Sequence, residues 1–148
     1  STNPITSMTN LGSQAIAENP RARMIQVHIA KEAVQVGRAQ CYDIEPLFGL
    51  PADTWANADK GHVFEELDAK FQPKPGTTDW RSSMAQDVTK GRPTEIEYMN
   101  GHIVQQGKAA GIPTPINTAV VTIIKEIESG TCEPDPVNIE RVLSLASM

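Results

Sequence analysis

From Pro20 to Gln40 the apolar residues Ile25, Ile29, Ala33 and Val36 repeat at helical spacing, and Val27, Ala30 and Val34 form a second stripe beside them. Only the strip holding His28, Lys31, Glu32 and Gln35 is polar. A helix apolar on most of its circumference must be surrounded, because exposing that much hydrocarbon to water is unfavourable. The rest of the chain therefore has to wrap around this segment. Pro20 marks its start, where a missing backbone N–H costs least.

The wrapping elements are legible as further helices. Thr94-Glu95-Ile96-Glu97 reads as a capping box, followed by Ile96, Met99, Ile103, Gly107 and Ala110 on one face. Gly111 closes that helix and Pro113 prevents its continuation. Thr114-Pro115 then caps the next, whose face is Ile116, Ala119, Val120, Ile123 and Ile127. The pair predicts an antiparallel helical hairpin that ends at Gly130. Asp135-Pro136 opens a last amphipathic stretch carrying Ile139, Val142 and Leu143. Ser83-Met84-Ala85-Gln86 reads as another capping box, opening a short helix that ends at Gly91. Gly101 and Gly107 are read as sites of close helix packing.

Between Cys41 and Trp80 the periodicity lapses. Pro46, Gly49, Pro51, Gly61, Pro73, Pro75 and Gly76 break it and leave one short helix around Phe64 to Phe71. A structureless connection that long is uncommon, so parts of it should pack, with Trp55 and Trp80 as anchors. No segment reads as a strand. The expected architecture is all-α, one helical domain over residues 1–148.

Composition removes several function classes. A net charge of -5 and a pI near 5.1 leave no basic footprint for a phosphate backbone, so nucleic acid is not an expected partner. The longest apolar runs, such as Ala119 to Ile124, are far shorter than the roughly 20 residues that cross a bilayer. Cys41 and Cys132 stand far apart, which fits free thiols and a cytoplasmic chain. His28, His62 and His102 are not at zinc-site spacings, so no metal is expected.

The stretch Ser82-Ser83-Met84-Ala85-Gln86-Asp87-Val88, then Gly91-Arg92-Pro93-Thr94-Glu95-Ile96-Glu97-Tyr98-Met99-Asn100-Gly101, then Gly111-Ile112-Pro113-Thr114-Pro115-Ile116-Asn117, resembles the signature of the ketopantoate reductase family. Asn3-Pro4-Ile5-Thr6 is similar to the middle of the first helix of that family's C-terminal domain. The resemblance runs from Asn3 to about Glu128. It implies the helical fold shared with 6-phosphogluconate dehydrogenase C-terminal domains, and a role in the NADPH-dependent reduction of ketopantoate to pantoate, a step toward pantothenate and coenzyme A. In the family, a separate dinucleotide-binding domain holds NADPH and the helical domain closes over the 2-oxo acid.

Carried over by position, Ser83 would bind the substrate carboxylate, Asn3 would be a substrate-binding amide, and Glu95 would hold substrate and orient the catalytic Lys. That Lys falls eight residues before Asn3, off the start of the chain. The residues by themselves leave a second reading open for each. A Ser at a helix start presents its hydroxyl beside unpaired N–H groups, a seat for a carboxylate, and it is also a leading N-cap that serves only its own helix. Glu95 lies in a first turn, where a carboxylate is stabilised by the helix dipole with or without a substrate.

No Gly-x-Gly turn occurs in the sequence, so no residue here is expected to bind the cofactor, and the chain alone is expected to be inactive. A rival reading follows from the abrupt start at Ser1 and the apolar helix faces: a stand-alone helical module, derived from the reductase, that dimerises or scaffolds.

Overall fold

A computed structural model describes all residues, 1–148, and shows helices with no β-strand. In chain order these are α1 (Thr2–Thr9), α2 (Ser13–Glu18), α3 (Pro20–Ala39), α4 (Ala52–Ala56), α5 (Val63–Asp68), α6 (Ser83–Thr89), a π-helical turn (Glu97–Gly101) that runs into α7 (His102–Ala110), α8 (Pro115–Glu128) and α9 (Asn138–Leu145). The fold is the all-α architecture expected. Its axis is α3, which touches α2, α4, α5, α7, α8 and α9. Asn19 starts it, its Oδ1 accepting from the N–H groups of Arg21 and Ala22 at 2.9 and 3.1 Å, with Pro20 as the first helical residue.

The stripes of α3 face different neighbours. Ala22, Ile25 and Ile29 join Ile5, Met8, Ile16, Ile96, Ile116, Ile123 and Ile139 in the main core between α1, α8 and α9. Val27 and Val34 face a second cluster with Trp55, Ala58 and Leu67. The segment without periodicity thus packs in part, as expected, with Trp55 as its fully buried anchor and residues 72–80 exposed, and it holds two short helices, α4 and α5, where one was expected. Trp80 is not an anchor: it is 47% exposed.

The strip read as polar is largely covered. Glu32 is 4% and His28 8% exposed. The Glu32 carboxylate accepts from the N–H groups of Ile116 at 2.8 Å and Asn117 at 2.9 Å, and from the Asn117 amide at 2.6 Å. Thr114 makes no side-chain bond at this helix start, so the cap of α8 comes from α3 across the core. Asn117 Oδ1 in turn accepts from Asn100 Nδ2 at 2.9 Å, which extends the buried network into the π-helical turn.

That turn corrects one face of the sequence reading. Gly101 N–H bonds the carbonyl of Ile96 at 2.9 Å, five residues back, and the wider turn rotates the residues after it. Asn100 is buried as a result, while Met99, placed by periodicity on the apolar face, is 38% exposed. Gly107 is a site of close packing as expected: a Cβ there would lie 2.7 Å from Thr114 and 2.9 Å from the Ile112 carbonyl. At Gly101 a Cβ would instead meet atoms of its own turn, the Glu97 carboxylate at 2.8 Å and the Ile96 carbonyl at 3.4 Å.

The tail closes the main core. The N–H of Asp135 and the amide of Asn138 both donate to the Met8 carbonyl, at 3.0 and 2.8 Å, satisfying an acceptor that α1 leaves unpaired near its end. Ile139, Val142 and Leu143 are buried behind it, and Arg141 pairs with Glu126 at 2.6 Å.

Candidate functional site

The site begins where α1 meets α6. Thr6 Oγ1 and Ser82 Oγ are 2.6 Å apart and buried, and the Asn3 carbonyl accepts from Thr6 Oγ1 at 2.9 Å, Ser7 Oγ at 2.7 Å and Ser82 Oγ at 3.2 Å. Ser82 also accepts from the Ala85 N–H at 3.1 Å, so Ser82 is the N-cap of α6. This corrects the capping box read from Ser83. Ser83 is the first helical residue, exposed, and its hydroxyl makes no hydrogen bond within the chain. The purely capping reading of Ser83 therefore falls, because its neighbour performs that task.

Glu95 lies on the turn that leads into the π-helical segment. It is exposed, and its carboxylate makes no hydrogen bond or ion pair inside the chain, while its carbonyl accepts from the N–H groups of Tyr98 at 3.0 Å and Met99 at 3.1 Å. The second capping box is also built differently from the sequence reading. Thr94 Oγ1 accepts from the Ile96 N–H at 3.2 Å, but Glu97 does not reach back to Thr94. Glu97 pairs with Lys125 at 3.2 Å, and the carboxylate on Thr94 belongs to Glu128 at the end of α8. Glu128 Oε1 accepts from the Thr94 N–H at 2.7 Å and its hydroxyl at 2.8 Å, and Lys125 lies 3.4 Å from the other oxygen. Partial burial pushes the Glu128 carboxyl up, yet the bonds from Thr94 together with Lys125 outweigh it and hold it below the usual value.

The structure therefore brings Asn3 together with the Ser82-Ser83 end of α6, and it fixes Glu95 through Thr94 and Glu128. No bond joins these two groups. Asn3, half-buried, keeps its side-chain amide unpaired within the chain. The cavities of about 320 to 390 Å³ lie elsewhere, and none is lined by Asn3, Ser83 or Glu95. On this domain the three side chains present unpaired polar groups without an enclosing wall. Tyr98, 87% exposed, stands three residues after Glu95 on the same turn.

Two residues that shape this region, Ser82 and Glu128, were not singled out from the sequence. Ser82 was hidden by its neighbour of the same type, and only the partner Thr6 distinguishes them. Glu128 carried no local signal, since its target is 34 residues away.

Residues 1–128 match the family model described as "Ketopantoate reductase PanE/ApbA C terminal". Among individual relatives, the chain is 27% identical over 128 residues to the 2-dehydropantoate 2-reductase of Archaeoglobus fulgidus, covering 86% of this chain and 37% of that protein. It is 30% identical over 131 residues to the 2-dehydropantoate 2-reductase of Aquifex aeolicus, covering 85% and 36%. Over 73 residues it is 40% identical to that of Vibrio cholerae, covering 49% and 25%. The chain thus spans a little over a third of the length of the first two relatives.

Proposed function

The chain belongs to the ketopantoate reductase family by its C-terminal domain, and from that premise we propose that it forms the substrate side of an NADPH-dependent 2-oxo acid reductase, acting on ketopantoate. The observation that carries this reading is the free hydroxyl of Ser83 beside a Ser82 that does all the capping.

The all-helical chain has no strand-to-helix glycine turn of the kind that cradles a dinucleotide pyrophosphate, so its own residues do not fit NADPH. The chain's residues bind and orient. Ser83 donates its hydroxyl to the substrate carboxylate, and Asn3 adds its side-chain amide from the neighbouring helix. Glu95 holds the substrate oxygen and, in its ionised form, orients the proton donor of the family pattern. Closure of a dinucleotide-binding domain against this face would supply the missing wall and cover Tyr98.

The test is a titration of this chain with ketopantoate, followed by amide chemical shifts. The expected result is perturbation at Ser83 and around Glu95, with affinity reduced on the order of tenfold in Ser83→Ala, the loss of one hydrogen bond to a charged group. Unchanged affinity in Ser83→Ala, or shifts confined to other helices, overturns the site.

A second reading, self-association of this domain, draws on exposed Tyr98 and Met99. It predicts a concentration-dependent sedimentation coefficient that Tyr98→Ser abolishes, and a strict monomer overturns it.

A further inference from the structure

A cavity of about 370 Å³ lies between the polar strip of α3, the loop after α4 and the turn that joins α7 to α8. Its polar lining comes from His28, Lys31, Glu32 and Gln35 on α3 and from Asp59. Pro113 and Pro115, with the Met148 side chain, complete it with apolar surface. What the polar groups leave unused decides what can bind. Glu32 is satisfied by the Ile116 and Asn117 N–H groups and the Asn117 amide. His28 is buried and makes no hydrogen bond within the chain. Its Nδ1 lies 3.8 Å from Asp59 Oδ1, too far for a hydrogen bond and near enough for one ligand nitrogen to bond both. Gln35 Nε2 donates to the Ala56 carbonyl at 2.9 Å, which leaves its Oε1 free.

A buried imidazole with neither nitrogen bonded is unfavourable, and the charges around it select the sign of a partner. Glu32 and Asp59 are both acidic, and Lys31, paired with Asp59 Oδ2, is the single cation lining the cavity. Burial pushes His28 below its ordinary 6.5, and Lys31 adds to this against the opposing pull of Asp59. At neutral pH the imidazole is therefore uncharged and offers an acceptor. The lining is left one positive charge short of balance.

We propose that this cavity binds a primary ammonium carried on a short apolar chain. The ammonium donates to His28 Nδ1 and Asp59 Oδ1, with Gln35 Oε1 as a third acceptor, and the hydrocarbon lies along Pro113 and Pro115. Binding fixes the neutral His28 tautomer whose proton is on Nε2. The volume suits a small ligand. The inference does not rest on the reductase reading, since none of Asn3, Ser83 and Glu95 lines the cavity.

Calorimetric titration of the full chain with n-butylamine, butyrate and tetramethylammonium tests it, with the His28 ring nitrogens followed by NMR. Butylamine should saturate and shift those nitrogens. Butyrate, of opposite charge, and tetramethylammonium, a cation without N–H, should each bind on the order of tenfold more weakly. Asp59→Asn, at an exposed position, should weaken butylamine on the order of tenfold, and Lys31→Gln, which removes a competing cation, should tighten it about threefold. Affinity should hold above pH 6.5 and fall as pH drops through the folded-state value of His28, where the imidazole gains a proton and loses its acceptor. The charged groups around His28 are Lys31 and Glu32 on its own helix and Asp59; α5 presents the Phe64 ring, and Pro113 and Pro115 bring no charge. Absence of saturable butylamine binding, equal affinity for butyrate, unchanged affinity in Asp59→Asn, weaker binding in Lys31→Gln, or binding that strengthens as pH falls each overturns the proposal.

Discussion

The two hydrophobic clusters flank the same helix and are built in opposite ways. On one side, Ile5, Ile25, Ile123 and Ile139 come from four helices, each residue placed by helical spacing, and the resulting core is aliphatic. On the other, Val27 and Val34 meet Trp55, Ala58 and Leu67 from a segment full of breakers, closed by the rings of Phe48 and Phe71. A regular helix buries a stripe because its period repeats. An irregular segment has no stripe and must rely on one large side chain, here Trp55, whose Nε1 donates to the Leu47 carbonyl at 3.1 Å.

The sharpest way to break that contrast is to remove the anchor on each side. Trp55→Ala should cost about 3–5 kcal/mol, and the loss should be local. Amide exchange is expected to accelerate across residues 42–72 while α8 stays protected. Ile123→Ala should cost about 2–5 kcal/mol and lower protection throughout. If Trp55→Ala exposes α8 as readily as the loop, the two clusters are one cooperative unit.

Glu32 lies at the seam. Glu32→Ala leaves the Ile116 and Asn117 N–H groups and the Asn117 amide without their acceptor inside the core, an expected loss of about 3 kcal/mol by denaturant melts. Its pH dependence is also distinctive. Burial raises the Glu32 carboxyl above its ordinary 4.5, against the pull of the Asn117 and Ile116 bonds and Lys31. The folded chain then holds this proton more tightly than the unfolded chain, so its contribution is greatest at low pH and declines as pH rises from 4.5 through the folded-state value. Glu128, lowered, does the reverse: its contribution is present above 4.5 and is lost as pH falls through the folded value. Stability measured across that range for Glu32→Gln and Glu128→Gln should differ from the parent in opposite senses, and parallel curves would show that neither direction holds.

A smaller effect separates two adjacent residues of the same type. Ser82→Ala removes the α6 cap and the buried partner of Thr6, an expected cost of about 1–2 kcal/mol. Ser83→Ala, at an exposed hydroxyl without partners, should stay within about 0.5 kcal/mol. Thermal melts of the two variants decide it, and equal shifts would return Ser83 to a capping role.

That pair shows what the sequence could and could not disclose. The helices of the main core were legible because burial there follows the 3.6-residue period, and Pro20, Gly111 and Pro115 mark their ends. The identity of each cap was not. Ser82 rather than Ser83 caps α6 because Thr6 lies 76 residues away, Glu32 rather than Thr114 caps α8, and Glu128 rather than Glu97 holds Thr94. In each case the side chain nearest in sequence lost to one supplied by tertiary packing. The π-helical turn was hidden for the same reason: Asn100 is drawn inward by Asn117, against the apolar pattern that favours Met99. Of the site residues, the positions of Ser83 and Glu95 on turns opening helical segments were readable, but their freedom from internal partners was not.

The smallest expected effect bears most directly on why the irregular side keeps its aromatic wall. At the first position of the Leu47–Leu50 turn, Phe48→Asn replaces a strained residue with one suited to the left-handed conformation, a gain of about 1 kcal/mol. Against it stand the ring contacts with Trp55 and Phe71, worth about 0.5–1.5 kcal/mol, from a side chain that leaves most of its surface in water. The two nearly cancel, so the melting temperature should move by only a few degrees. A variant that unfolds the segment would instead make Phe48 a second anchor beside Trp55, and the strain would then be explained by stability alone.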